Sequence, residues 1–151
     1  MAERFDGIPE SHTYILEAKC FAHVATVRPD GMISNHPVSV LWDGEHVRFS
    51  TTKDHKKYRN LLADDRVALS IPDPTNIWRY IEIRGRATLA DDVDRSDINA
   101  IAKKYMGQDE YTLDAPGAER VTATVHVEQV SAAAIHADLN DGKPPEDWTE
   151  S

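Results

Sequence analysis

The residues best suited to chemistry lie together in one short stretch, Ser50-Thr51-Thr52-Lys53-Asp54-His55-Lys56-Lys57. From Asp54 to Asp64, Tyr58, Leu61 and Leu62 recur at spacings of three and four, which predicts a helix. The four basic side chains of the stretch then crowd its start. That end of a helix carries the positive pole of the backbone dipole and favours acids. Lys53 also sits three residues before Lys56 and four before Lys57, spacings at which like charges cost about 0.2–0.5 kcal/mol per pair. A bound anion would reverse both penalties, because uncapped backbone amides, the dipole and the lysines would all converge on it. Ser50, Thr51 and Thr52 would add hydroxyl donors. Two readings stay open at this level: a solvated basic helix face with Asp54 as a simple N-cap, or a phosphate site. The Gly-x-x-x-x-Gly-Lys and Gly-x-Gly-x-x-Gly patterns are missing, so neither a nucleotide P-loop nor a dinucleotide fingerprint accounts for it.

These residues need a frame to hold them. A first helix is predicted over 9–19, with Tyr14, Ile15 and Ala18 at helical spacing. Period-two alternation from Cys20 to Arg28 reads as a strand buried on both faces. Pro29-Asp30-Gly31 and Asp43-Gly44 are turn signals that separate it from strands at 32–42 and 45–52, giving an antiparallel meander. Further strands are expected at 66–71, 78–89 and 120–136, and a third helix at 93–105. Gly85, inside the fifth strand, marks a bulge or a close backbone approach. Six strands interrupted by helices predict an α+β domain whose sheet curls into a barrel over residues 1–136, followed by an acidic tail at 137–151.

The chain has 151 residues, a net charge of −9 and 40% hydrophobic residues. That length is one ordinary domain. The negative charge argues against nucleic acid as the main partner. The single cysteine, Cys20, excludes an intrachain disulfide and any multi-cysteine metal site, and its place at the head of a buried strand predicts a small core residue. The seven histidines offer no i, i+4 helical pair, and His126 with Glu128 supplies two potential ligands without a third, so no metal is expected. The N-terminus lacks a signal-peptide layout and no apolar run is long enough to cross a membrane. A cytoplasmic protein is the expectation.

Taken in order, Asp30-Gly31, Asp43-Gly44, Phe49-Ser50-Thr51-Thr52, Lys56-Lys57-Tyr58-Arg59-Asn60-Leu61, Asp64-Asp65-Arg66-Val67-Ala68-Leu69 and Trp78-Arg79-Tyr80-Ile81-Glu82-Ile83-Arg84-Gly85-Arg86-Ala87 resemble the pyridoxamine-phosphate-oxidase-like flavoproteins. The likeness covers roughly residues 8–136 and is nearest to the branch of deazaflavin (coenzyme F420)-dependent oxidoreductases. It implies a six-stranded antiparallel split β-barrel, the FMN-binding split barrel, with flanking helices. It also implies an obligate homodimer with two cofactors at the interface. Carried over by position, Ser50, Thr51 and Thr52 would line the cofactor's ring and ribityl chain, and Lys57, with Lys56 beside it, would hold the phosphate. Ser34, His36, Pro37 and Val38 match the strand facing the ring. Asn60 belongs to the same motif and would brace the loop. Trp78 and Arg79, with Tyr80, match a segment that reaches the partner's cofactor. Lys53 or Arg59 would meet the extra carboxylates of a deazaflavin tail.

The implied activity is hydride transfer from reduced coenzyme F420 to an electron-poor small molecule such as an activated alkene, quinone or conjugated ring. The alternatives are an FMN-dependent enzyme of the pyridoxamine-phosphate-oxidase type and a non-catalytic flavin- or haem-binding protein. No catalytic proton donor is identifiable; His36 and Tyr80 qualify by side-chain type alone.

Overall fold

The computed structural model describes residues 7–134. The acidic tail expected at 137–151 lies outside the described residues. Nine elements follow one another: α1 (Glu10–Glu17), β1 (Phe21–Val27), β2 (Ile33–Trp42), β3 (Val47–Thr52), α2 (Lys56–Ala63), β4 (Arg66–Asp73), β5 (Asn76–Asp91), α3 (Ser96–Met106) and β6 (Arg120–Ala134). The six strands close into an antiparallel barrel in the order β1-β2-β3-β6-β5-β4.

Local chemistry sets the meander. Asp30 accepts the Met32 amide at 3.0 Å and Gly31 adopts φ +85°, so the chain reverses where the sequence places its turn. Asp43 does the same at the next corner, accepting the amides of Glu45 and His46 at 2.8 and 2.7 Å. β1 departs from the expected two-sided burial. Ala22, Val24 and Thr26 are buried, whereas Phe21 and His23 face outward and are exposed. A barrel wall has one inner face, so alternate residues must point away from the core.

Inside, Val24, Val40, Phe49, Leu69, Ile71, Ile81 and Ile83 fill the barrel, and Ile15 and Leu16 of α1 join the same core, all essentially without exposure. Cys20 is also fully buried, as a small core residue would be. α3 packs outside β2, where Ile98 and Ile101 meet Leu41 with Tyr105 and Tyr111 beside them. Asp92 fixes its start by accepting the amides of Asp97 and Ile98 at 3.2 and 2.9 Å. The helix therefore begins at Ser96, three residues later than its composition suggests.

The β5–β6 ladder shifts register in its middle. Arg84 faces Gln129 but Gly85 faces Val127, so Glu128 is an extra residue on β6. A Cβ on Gly85 would lie 2.1 Å from the His126 carbonyl oxygen. The glycine at this position is a requirement of close backbone approach, as the sequence pattern anticipated. Glu82 and Arg84, two residues apart on one face of β5, form an ion pair along the strand.

The β4–β5 hairpin is tied to α1. The Tyr14 hydroxyl donates to Asp73, whose other oxygen accepts from the Thr75 amide and hydroxyl at 2.8 Å each. Burial and then the Asp73 carboxylate push the Tyr14 phenol up from 10.0 to about 12. A phenol raised in the folded state contributes stability that is complete below pH 10 and lost as pH rises through about 12. We expect tyrosine absorbance to show a late-titrating phenol that disappears in Tyr14→Phe; an unchanged titration in that variant contradicts the assignment.

Candidate functional site

The β3–α2 junction gathers the basic cluster differently from the simplest reading. Helix α2 starts at Lys56 with His55 as its N-cap, and no side chain caps the amides of its first turn. Asp54 is not the cap; its carboxylate accepts from the Thr52 hydroxyl instead. Lys53 lies outside the helix and is engaged with Asp91 at 3.2 Å and Glu119 at 3.1 Å. It does not point its charge toward the helix start. Arg59 donates to the Asp54 carbonyl at 3.1 Å. What remains at the helix start is Lys56, exposed, and Lys57, partly buried.

Lys57 is the anomaly. Burial, then the Arg120 guanidinium, hold its ammonium below the ordinary lysine range, and no carboxylate among the described residues offsets them. His55 is likewise held below the ordinary imidazole range, by burial and then by Lys57. Its Nδ1 lies 3.2 Å from the Thr51 hydroxyl. An anion placed at this uncapped helix start would be favoured by the backbone amides and by both cations, and Lys57 has no counter-ion among the described residues. Of the three hydroxyls, Thr51 and Thr52 are buried and Ser50 is half-buried.

Asn60 faces elsewhere. Its side chain is buried and donates to the Thr26 hydroxyl of β1 at 3.1 Å. It ties α2 to the barrel wall and so braces the junction rather than offering a donor to a ligand.

Ser34, His36 and Val38 lie opposite Thr26, Val24 and Ala22 of β1, all three buried. They therefore share the inner face of β2, and Pro37 points the other way. His36 is nonetheless exposed. The reason is the seam: β2 pairs with β3 only at Val40↔Phe49, Leu41↔Arg48 and Trp42↔Val47. Below Val40 the two strands part, and the inner face of β2 opens between them. The split brings the 34–38 segment and the β3–α2 junction to the two sides of one gap.

Trp78 and Arg79 belong to a different group. They lie on the β4–β5 hairpin, where Arg79 donates to the Ser11 carbonyl at 2.9 Å and its guanidinium sits 5.6 Å from the Tyr14 ring centroid. The hairpin is anchored to α1 rather than to β3 or α2.

One residue escaped the sequence reading. Arg120, the first residue of β6, pairs in register with Thr52 and places its Nη1 3.4 Å from the Ser50 hydroxyl. Nothing local marks it: a lone arginine at a strand start, about 60 residues from the lysines, becomes their neighbour only through the β3–β6 ladder.

Among the described residues no helix is long and apolar enough to cross a membrane, and no three potential ligands gather as for a metal ion. Glu128 pairs with Arg86 at 3.2 Å, and His126 stacks against His46 with centroids 5.3 Å apart.

A closed six-stranded antiparallel barrel whose β2 and β3 pair over only part of their length, with Lys56 and Lys57 on the helix that follows β3, is a split barrel. The pyridoxamine 5'-phosphate oxidase family model matches residues 8–135. The chain belongs to that family of split-barrel oxidoreductases. A solved F420 reductase is 34% identical, with 82% of this chain and 98% of that one covered and a TM-score of 0.74. General Stress Protein 26 from Bacillus anthracis is 17% identical over 82% of this chain and 92% of that one, with a TM-score of 0.63. A pyridoxamine 5'-phosphate oxidase-related, FMN-binding protein from Nostoc punctiforme is 15% identical over 82% of this chain and 79% of that one, with a TM-score of 0.56. At these last two identities the likeness is one of fold. No curated protein matches the chain.

Proposed function

We propose that the protein is a coenzyme F420-dependent reductase that passes a hydride to an electron-poor small molecule. The observation that carries this reading is the partly buried Lys57 ammonium at the uncapped start of α2, beside Arg120 and with no carboxylate partner among the described residues. Those groups fit a phosphate. The 34% identical F420 reductase favours the deazaflavin over FMN as the phosphate's bearer.

In this reading Lys57, Lys56 and the first-turn amides of α2 hold the phosphate. Ser50, Thr51 and Thr52 offer hydroxyls to the chain between phosphate and ring. Ser34, His36, Pro37 and Val38 border the gap in which the ring would lie. When bound in its reduced form, the coenzyme supplies the hydride. The protein's part is placement, the exclusion of water from the gap, and a field set by Lys57 and Arg120. Asn60 keeps α2 at the barrel wall so that the lysines stay aimed at one point.

The same reading includes a homodimer. Phe21, Ile33, Ile77 and Trp78 are exposed, at 52%, 68%, 53% and 37%, and a second copy would cover such apolar side chains. In the dimer, Trp78 would come from one copy to the other's gap.

The test is a pair of fluorescence titrations of the purified protein, one with coenzyme F420 and one with FMN. We expect the deazaflavin to bind at least about tenfold tighter, a difference near 1.4 kcal/mol. Tighter binding of FMN would replace this reading with an FMN-dependent enzyme, and binding of neither would remove the phosphate site.

A further inference from the structure

Arg120 is an unusual place to bury charge. Its side chain is only 10% exposed. Asp114 accepts from its Nε at 2.9 Å and its Nη2 at 2.6 Å. The guanidinium also lies over the Tyr111 ring, 5.0 Å from the centroid. One edge and one face are thus fixed, and Nη1 is the group left directed at Ser50. The scaffold that does this is itself tied down. Arg95 reaches Asp114 at 3.2 Å and the Tyr111 carbonyl at 3.1 Å, and Asn99 accepts the Tyr111 amide at 2.9 Å.

An arginine needed only to staple the α3–β6 loop would not have to face two other basic groups. Here the Arg120 charge works against both Lys57 and His55. A planar guanidinium locked by a carboxylate, with its remaining Nη1 directed at Ser50, suits a phosphate oxygen better than an ammonium would. We propose that Arg120 is a second cation of the phosphate site, with Asp114 as the positioning residue that orients it. The proposal rests on the reading of Lys57 as a phosphate ligand and adds a residue from the far end of the sheet.

The experiment compares ligands that differ by the phosphate: FMN with riboflavin, and coenzyme F420 with its phosphate-free deazaflavin fragment. Each is titrated against the wild-type chain, Arg120→Gln and Lys57→Gln. Arg120→Gln should weaken the phosphate-bearing ligand about tenfold and leave the phosphate-free one within about twofold. A structural staple would weaken both alike, and that result overturns the proposal. So does a phosphate preference that Lys57→Gln reduces and Arg120→Gln leaves intact. If neither variant changes the preference, or the wild-type chain has none, the phosphate site itself is refuted. Should Arg120→Gln alone unfold, because it strands the buried Asp114 carboxylate, the double variant Arg120→Gln/Asp114→Asn removes both charges and must show the same selective loss.

Discussion

Lys57→Ala is expected to weaken binding of the phosphate-bearing cofactor by about 10–100-fold while moving folding stability by no more than about 1 kcal/mol. The first figure follows from a charge-assisted hydrogen bond, about 1.5–3 kcal/mol. The second follows from the state of the side chain before any ligand arrives. Among the described residues Lys57 has no carboxylate to lose, and burial with Arg120 already works against its charge in the folded chain. Removing the ammonium therefore relieves a local repulsion and forfeits only the packing of the alkyl stem. A paired structural lysine would give the opposite pattern, lower stability with unchanged binding. Calorimetric titration alongside thermal melting separates the two, and an unchanged dissociation constant would sink the assignment.

The second large effect is on the fold. Gly85→Ala places a methyl group 2.1 Å from the His126 carbonyl oxygen, with the His126 carbonyl carbon and Val127 Cα at 3.0 and 3.1 Å. All three are backbone atoms of the neighbouring strand and no side chain can swing aside. The methyl fits only if the ladder around Glu128 opens, which breaks the pairing of Gly85 with Val127. We expect a loss of about 2–4 kcal/mol and a melting temperature lower by about 10 °C. A melting curve that overlays the wild type would show that the bulge has more room than its backbone distances give.

The sequence carried most of the fold because its signals were local. Alternation, the two Asp-Gly corners and the helical spacing of Tyr58, Leu61 and Leu62 all act within a few residues. The expected strands and helices consequently lie within a few residues of the observed ones. The exceptions have tertiary causes. α2 begins at Lys56 rather than Asp54 because Thr52 takes the Asp54 carboxylate. β1 is open on one side because the barrel has only one interior. Among the basic residues, the sequence located the cluster but not its division of labour. Lys53 looks equivalent to Lys57 on paper, yet Asp91 and Glu119 claim it, from β5 and from the loop before β6. Arg120 was invisible for the converse reason, since its neighbours lie across a ladder that only the closed barrel creates.

The strand order has a consequence for synthesis. β6 lies between β3 and β5, and it is the last of the described strands to be made. A growing chain that has emerged only as far as the α3–β6 loop holds five strands with two open edges, β3 and β5. The β5 edge offers the partners of thirteen β6 residues. Such edges pair readily with other chains. Until β6 leaves the ribosome the polypeptide is an unfinished cylinder prone to self-association, and those fifteen residues of the wall both close the barrel and end that exposure.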